Sequence, residues 1–212
     1  MKPECLSRVR CVVFDVGETL IDETRMWADL AFYTGLTPLT VCGVLGAAIA
    51  QGLDHSEVWD LIGVDAPEFR ADVVMQDFYP DALGCIAAVR RAGFVVGVAG
   101  NQPAGVEDLL RKAGLEADFV ASSAAWGVAK PDPGFFSRVI FEAKMPASNI
   151  LYVGDRLDND VLPAHAAGMR TGFIRRGPWG HIHALKPEAG LADLQIKTLS
   201  ELTELLCGST DT

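Results

Sequence analysis

Residues 10–20 are Arg-Cys-Val-Val-Phe-Asp-Val-Gly-Glu-Thr-Leu, a short apolar run that ends in the carboxylate of Asp15. Uninterrupted apolar runs of this length are typical of strands buried on both faces of a parallel sheet. Similar runs follow along the chain, and segments with helical patterning separate them. The predicted strands are residues 10–15, 94–99, 118–121, 150–153 and 171–174, and the predicted helices are residues 81–92, 103–113, 134–143 and 159–167. This alternation predicts an α/β fold with a Rossmann-like parallel sheet of about five strands.

Polar side chains follow three of the predicted strands at the point where each strand ends. They are Asp15, Asn101 and Asp155. Because the carboxyl ends of parallel strands meet at one edge of a sheet, where ligands bind in such folds, we expect these side chains to converge there.

One segment breaks the alternation of strands and helices. Residues 22–77 show helical patterning without a convincing strand, and the apolar run at 39–50 is predicted to be a buried helix. The segment holds ten acidic residues, no lysine and only two basic residues, Arg25 and Arg70. The sequence therefore predicts an α/β core at residues 1–21 and 78–212 and an inserted all-helical cap at residues 22–77. After residue 177 the pattern is less regular, apart from a closing helix at 198–206.

Composition restricts the classes of partner. The 212 residues carry a formal net charge of -10, which argues against nucleic acid or an anionic membrane surface as a partner. The five cysteines are dispersed and form no C-x-x-C pair, as expected of reduced thiols in a cytoplasmic protein. No stretch has the length and apolar character of a membrane span or of a signal peptide. We expect a cytoplasmic protein with a small-molecule substrate, and the sequence does not indicate its oligomeric state.

Four separated motifs occur in one order along the chain. They are Phe-Asp-Val-Gly-Glu-Thr-Leu at 14–20, Gly-Val-Ala-Gly-Asn at 97–101, Gly-Val-Ala-Lys-Pro-Asp-Pro at 127–133 and Val-Gly-Asp-Arg-Leu-Asp-Asn-Asp at 153–160. Together they resemble the haloacid dehalogenase-like hydrolase superfamily over roughly residues 11–174, and the helical insertion resembles the cap of one of its subfamilies. The third and fourth motifs are the more specific pair, whereas the first and second are altered.

The resemblance implies a catalytic nucleophile at Asp15 and a charge-stabilising ammonium at Lys130. It implies a bound Mg²⁺, since this ion prefers oxygen ligands. The implied metal ligands are Asp15, the backbone carbonyl of Gly17, Asp155 and Asp160, and the residues implied to seat the transferred phosphoryl group are Thr19, Gly100 and Asn101.

Two positions depart from the pattern of the superfamily. Its phosphatases usually carry a second aspartate two residues after the nucleophile as general acid and base, where this chain has Gly17. Glu18 is a possible replacement, although the alternation of side chains along the chain would point it elsewhere. The second motif usually ends in Ser or Thr, where this chain has Gly100.

The main functional hypothesis is a Mg²⁺-dependent phosphatase that acts on a small phosphorylated metabolite through an aspartyl-phosphate, beneath a cap that closes over the substrate. A 2-haloacid dehalogenase is an alternative, because a halide leaves without a proton and Arg25 could bind a substrate carboxylate. A catalytically weak metal- or ligand-binding protein is another. A phosphonatase is disfavoured because the cap has no lysine to form a Schiff base.

Overall fold

Within residues 4–68 and 72–208, which the computed structural model describes, six strands form one all-parallel sheet. The strands are β1 (Cys11–Phe14), β2 (Val95–Gly100), β3 (Phe119–Ser122), β4 (Ile150–Gly154), β5 (Arg170–Ile174) and β6 (Leu194–Ile196). Their spatial order is β3-β2-β1-β4-β5-β6. The predicted α/β fold is confirmed, with six strands instead of about five.

Strand β1 lies at the centre of the sheet, where the direction of strand addition reverses. Val13 is paired with Gly97 of β2 on one side and with Tyr152 of β4 on the other. The chain first adds β2 and β3 beyond one edge of β1 and then crosses to add β4, β5 and β6 beyond the other. The carboxyl ends of β1 and β4 therefore form the switch point at which α/β sheets bind ligands.

Ten α-helices occur among the described residues. They are α1 (Thr24–Tyr33), α2 (Pro38–Ala50), α3 (Glu57–Ile62), α4 (Ala82–Arg91), α5 (Val106–Lys112), α6 (Ser123–Trp126), α7 (Pro133–Ala143), α8 (Leu162–Ala166), α9 (Gly177–His183) and α10 (Leu199–Cys207). A π-helical turn at Leu157–Val161 leads into α8. Local sequence sets several of the helix starts. Pro133 is the first residue of α7 and Asp132 caps it, while Thr198 caps α10 through the amide of Glu201.

Both faces of the sheet are buried, because the side chains of each strand alternate between two apolar layers. Val12 and Phe14 of β1 pack in the layer that contains α4, α5 and α10. Cys11 and Val13 pack in the opposite layer, with Phe136 of α7. This accounts for the continuous apolar run from which β1 was predicted.

The segment after β1 contains α1, α2 and α3 and no strand among its described residues, and Arg70 lies outside those residues. Its apolar side chains pack around Trp27 and Trp59, whose ring centroids are 6.3 Å apart, together with Trp179 of α9. The run predicted as a buried helix does form α2, but only one side of it is buried, since Leu39 is 84% exposed.

Two backbone contacts lie where the chain enters and leaves the helical segment. Ile21 forms an antiparallel bridge with Phe78, and the amide of Asp22 donates to the carbonyl of Asp77 at 2.8 Å. The division into a core at 1–21 and 78–212 and a cap at 22–77 stays a prediction.

The end of the chain is more regular than its sequence indicates. Residues after 177 form α9 and β6 in addition to the predicted closing helix. Among the described helices none is by itself long and apolar enough to cross a membrane; α1 and α2 would suffice only together, and a bend of 111° separates them.

Candidate active site

Three of the sequence motifs meet at a buried ammonium at the carboxyl end of β1. The Nζ of Lys130 donates hydrogen bonds to Oδ1 of Asp15 and to Oδ1 of Asp160, each at 2.6 Å. All three residues are buried, with relative exposures of 6%, 7% and 0% respectively. Asp15, at the end of β1, is thus brought together with residues of the third and fourth motifs.

The ammonium of Lys130 and the carboxylates of Asp15 and Asp160 each favour the charged form of the other. Burial raises the pKa of Asp15 to about 6, while the charge and hydrogen bond of Lys130 oppose that rise. Burial alone would lower the pKa of Lys130, but the charges of Asp15 and Asp160 outweigh it and raise that pKa. Near neutral pH the structure thus holds an ionised carboxylate against a fixed ammonium.

Asn101 fixes the backbone that carries Lys130. Its Oδ1 accepts from the amide of Lys130 at 2.7 Å, and its Nδ2 donates to the carbonyl of Lys130 at 2.9 Å. The side-chain amide of Asn101 is therefore engaged with the protein backbone, although the sequence predicted that it helps to seat the transferred group.

Asp155 follows β4 and completes an acidic cluster with Asp15 and Asp160. One ligand oxygen from each of the three carboxylates lies within 4.8 Å of the others. Oδ2 of Asp155 is buried without any hydrogen-bond partner among the described residues. Burial, followed by the charges of Asp160 and Asp15, raises the pKa of Asp155 well above its ordinary value.

The donor set of this cluster fits a hard divalent cation. Its side-chain ligands are all oxygens, as Mg²⁺ prefers, and the orphaned Oδ2 of Asp155 lacks the positive partner that a buried carboxylate needs. Both oxygens of Asp160 already accept hydrogen bonds, from Lys130 and from the amide of Arg156 at 2.9 Å. Of Asp155 and Asp160, Asp155 is thus the one with a carboxylate oxygen available to bind a cation.

The loop after β1 folds back on itself in a tight turn. The amide of Glu18 donates to the carbonyl of Ile21 at 2.7 Å, and Glu18 has a φ of 50°, which non-glycine residues seldom adopt. Thr19 is fully buried in this loop, and its Oγ1 has no hydrogen-bond partner among the described residues. The Thr19 hydroxyl is thus without a hydrogen-bond partner, as far as the described residues go, in the loop that follows Asp15.

The side chain of Glu18 is engaged by Tyr79 and by the backbone of Glu23. Its Oε2 accepts from the hydroxyl of Tyr79 at 2.5 Å, and its Oε1 accepts from the amide of Glu23 at 3.1 Å. Glu18 therefore supports the loop, and its carboxylate is not free to act on a leaving group.

Both altered glycines are in close contact with carboxylates. A Cβ built on Gly100 would lie 2.5 Å from Oδ1 of Asp15, so the Asp15 carboxylate occupies the room that a Ser or Thr side chain needs there. A Cβ built on Gly17 would overlap with Oε1 of Glu23. Neither position would accept the usual side chain of the superfamily unless a carboxylate moved.

Glu23 is a residue of this site that sequence reasoning missed. It is partly buried just before α1, and it interacts electrostatically with Asp15. Its pKa is raised to about 8, first by burial and then by the charges of Glu18 and Asp15. The only sequence signal was a glycine where an acid is usual, with another acid six residues later in a segment of ten acids.

Arg25, which the sequence offered as a ligand for a substrate carboxylate, is occupied. Its Nε and Nη2 donate to the two oxygens of Asp77 at 2.8 and 2.6 Å, and its Nη1 donates to Asp72 at 2.9 Å. Its guanidinium therefore connects α1 to the segment that returns to the core.

Comparison with known proteins gives consistent matches. A family model described as haloacid dehalogenase-like hydrolase matches residues 9–168. Haloacid dehalogenase-like hydrolase domain-containing protein 3 of Danio rerio is 27% identical over 193 residues, which cover 89% of this chain and 72% of that protein. Glyceraldehyde 3-phosphate phosphatase of Methanopyrus kandleri is 26% identical over 227 residues, covering 93% of this chain and 97% of that protein.

Solved structures share the fold. A HAD phosphatase of Thermococcus onnurineus superposes with a TM-score of 0.63 at 22% identity, covering 95% of this chain and 99% of that one. Dehalogenases are also among the solved structures with this fold. Likeness of fold alone therefore does not separate phosphatase from dehalogenase chemistry.

Proposed function

Because the chain belongs to the haloacid dehalogenase-like hydrolase family, we propose that it is a Mg²⁺-dependent phosphatase acting through an aspartyl-phosphate on Asp15. The observation that carries this proposal is the arrangement of Asp15 and Asp155 at the carboxyl ends of the adjacent strands β1 and β4, with the ammonium of Lys130 bonded to Asp15. It combines a buried carboxylate suited to nucleophilic attack, a fixed ammonium and a carboxylate oxygen that has no hydrogen-bond partner in the described part of the chain.

Asp15 is the proposed nucleophile. One oxygen of its carboxylate attacks phosphorus, the bond to the leaving oxygen breaks, and the aspartyl-phosphate is later hydrolysed to restore the carboxylate. Lys130 holds Asp15 in place by a hydrogen bond of 2.6 Å and adds positive charge beside the transferring group. The Thr19 hydroxyl and the backbone at Gly100 and Asn101 are proposed to seat the phosphoryl oxygens.

Asp15, Asp155 and the carbonyl of Gly17 are the proposed direct ligands of Mg²⁺. When bound, this ion offsets the repulsion between the phosphoryl oxygens and the carboxylates. Asp160 has both oxygens in hydrogen bonds, so we assign it to the support of Lys130 and of the loop that carries Asp155.

The proposed substrate is a small phosphorylated metabolite in the cytoplasm. A relative similar over nearly its whole length is named for a phosphorylated three-carbon compound. Residues 22–77, the proposed cap, contain ten acids and two bases and would repel long polyanions such as nucleic acid. The helices of this segment are proposed to close over the substrate and exclude water.

The occupied state of Arg25 favours phosphatase over dehalogenase chemistry. A 2-haloacid would bring a carboxylate to a site that already holds Asp15, Asp155 and Asp160, and the candidate cation for it is paired with Asp72 and Asp77. Without a bound cation to offset it, repulsion between these like charges disfavours that substrate.

The test is a panel of phosphate esters and 2-haloacids, with released phosphate and released halide measured in parallel, with Mg²⁺ and with EDTA. We expect Mg²⁺-dependent phosphate release that Asp15→Asn abolishes and Asp60→Asn, an exposed cap control, preserves. Halide release would favour the dehalogenase, and no turnover on the whole panel would favour a binding protein.

A further inference from the structure

The proposed phosphatase reaction, on which this inference rests, needs a group that protonates the leaving oxygen and later removes a proton from water. The usual position of that group is occupied by Gly17, which has no side chain. The neighbouring Glu18 is held by Tyr79 and by the amide of Glu23. The proton-transfer group must therefore come from elsewhere in the chain.

The space beside Gly17 is already filled by a carboxyl group. A Cβ built on Gly17 would overlap with Oε1 of Glu23, and it would lie 2.9 Å from Cδ of the same residue. The carboxyl of Glu23 thus enters the volume into which an aspartate at position 17 would begin to project. An acid from outside the motif occupies the place that the motif leaves empty.

Two contacts hold Glu23 in this position. Its amide donates to Oε1 of Glu18 at 3.1 Å, and the side chain of Trp27 lies close enough to its carboxyl to lower the pKa of that group. Glu23 also lines a small pocket with Val16 and Gln102, beside the nucleophile loop. The group is therefore oriented by its neighbours beside a small pocket that Val16, the residue after Asp15, also lines.

We propose that Glu23 is the catalytic acid and base of this chain, and that its carboxyl replaces the aspartate that related phosphatases carry at the position of Gly17. In the first step Asp15 attacks phosphorus, the bond from phosphorus to the leaving oxygen breaks, and the Glu23 carboxyl gives its proton to that oxygen. In the second step the Glu23 carboxylate takes a proton from water as the water oxygen attacks phosphorus. The bond to Asp15 breaks, inorganic phosphate leaves, and Glu23 is protonated again. Glu18 acts through Glu23 as a positioning residue.

The experiment compares the full chain with Glu23→Gln, Glu23→Ala, the double variant Glu23→Ala/Gly17→Asp and the control Asp60→Asn. Each is assayed with Mg²⁺ on p-nitrophenyl phosphate and on an alkyl phosphate, whose leaving oxygen needs the proton far more. Acid-quenched samples are weighed by mass spectrometry to detect phosphorylated enzyme, and thermal melting confirms that each variant is folded.

Glu23→Gln should lower kcat on the alkyl phosphate by about 10²–10⁴-fold. On the aryl phosphate it should release a stoichiometric burst of p-nitrophenol and then turn over slowly, with phosphorylated enzyme accumulating. The double variant should recover turnover relative to Glu23→Ala, because an aspartate at position 17 then enters the vacated space.

Wild-type rates on both substrates in Glu23→Gln would overturn the assignment. An equal loss on both substrates without a burst would also overturn it, since a merely structural role predicts that pattern. If the wild-type chain itself shows no phosphatase activity that depends on Asp15, the proposed function fails, and the role of Glu23 fails with it.

Discussion

The buried ammonium of Lys130 gives the sharpest prediction about stability. Replacing it by Met retains most of the side-chain volume between Phe135 and Tyr152 but removes the charge that Asp15 and Asp160 share. Removing one partner of a buried ion pair costs about 3–5 kcal/mol, because the remaining charge has neither water nor a counterion. For a chain of this size about 1 kcal/mol corresponds to about 2–4 °C in Tm. We therefore expect Lys130→Met to lower Tm by roughly 6–20 °C in EDTA.

The loss of stability in Lys130→Met should increase as pH rises. The folded pKa of Asp15, already raised to about 6, rises further once Lys130 no longer opposes burial. A carboxyl whose folded pKa exceeds its unfolded value destabilises the fold above that pKa, and the penalty shrinks as pH falls and the folded state takes up a proton. The destabilisation should thus be largest at about pH 8 and smaller at about pH 5.

Urea unfolding in EDTA, followed by circular dichroism at both pH values, measures this effect. Lys112→Met, an exposed lysine of α5, is the matched control and should change stability by about 0.5 kcal/mol or less. A loss of less than about 1 kcal/mol that does not vary with pH is typical of an exposed ion pair and would refute this reasoning.

Two further predictions concern other carboxylates. Asp155→Asn should raise the stability of the metal-free protein by about 1–3 kcal/mol, because it removes a buried carboxylate whose Oδ2 has no hydrogen-bond partner among the described residues. It should also abolish the gain of about 2.7 kcal/mol expected for the wild type at a Mg²⁺ concentration of about 100 times Kd. An equal Mg²⁺-induced rise in Tm in both proteins would contradict the assigned ligand. Asp81 accepts hydrogen bonds from Arg176 at 2.6 Å and from the amide of Leu199 at 2.8 Å, so Asp81→Asn should cost about 3 kcal/mol in urea unfolding. Burial pushes the pKa of Asp81 upward, but Arg176 outweighs it and lowers that pKa. The stability that Asp81 contributes is therefore present at neutral pH and is lost as pH falls through the folded pKa. Asp81→Asn should cost less stability in acid than at neutral pH, and an equal cost would count against the ion pair.

The central part of the fold could be predicted because its signals are local. The predicted strand at 10–15 is observed at Cys11–Phe14, and the predicted helix at 134–143 is observed at Pro133–Ala143. Both are set by apolar patterning, which burial on two faces of a sheet or on one face of a helix imposes directly.

The elements that were missed have weak local signals. β6 has only three residues, and its middle residue, Gln195, is exposed, so no apolar run marks it. Its position comes from pairing with β5 at the edge of the sheet. The helix Gly177–His183 begins with Gly-Pro and contains a second glycine, a composition typical of turns, and burial of Trp179 against the helical segment stabilises it.

In the candidate site too, some residues could be predicted from the sequence and others could not. The meeting of Asp15 and Asp155 could be expected from strand ends in a parallel sheet, whereas Lys130 and Asp160 were expected there from the family resemblance. The placement of Glu23 could not, because it depends on the path of the loop through Glu18 and on the missing side chain at Gly17. Those are tertiary contacts, which spacing along the sequence does not encode.

The most direct test of the central claim is to locate the phosphoryl group during turnover. The chain is mixed with p-nitrophenyl phosphate and Mg²⁺, quenched in acid, digested and mapped by mass spectrometry, with Asp15→Asn and an EDTA sample run alongside. The account predicts one phosphoryl group on the peptide that carries Asp15, which is absent from both comparison samples. Turnover with that peptide never modified, or with the label on another residue, would contradict it.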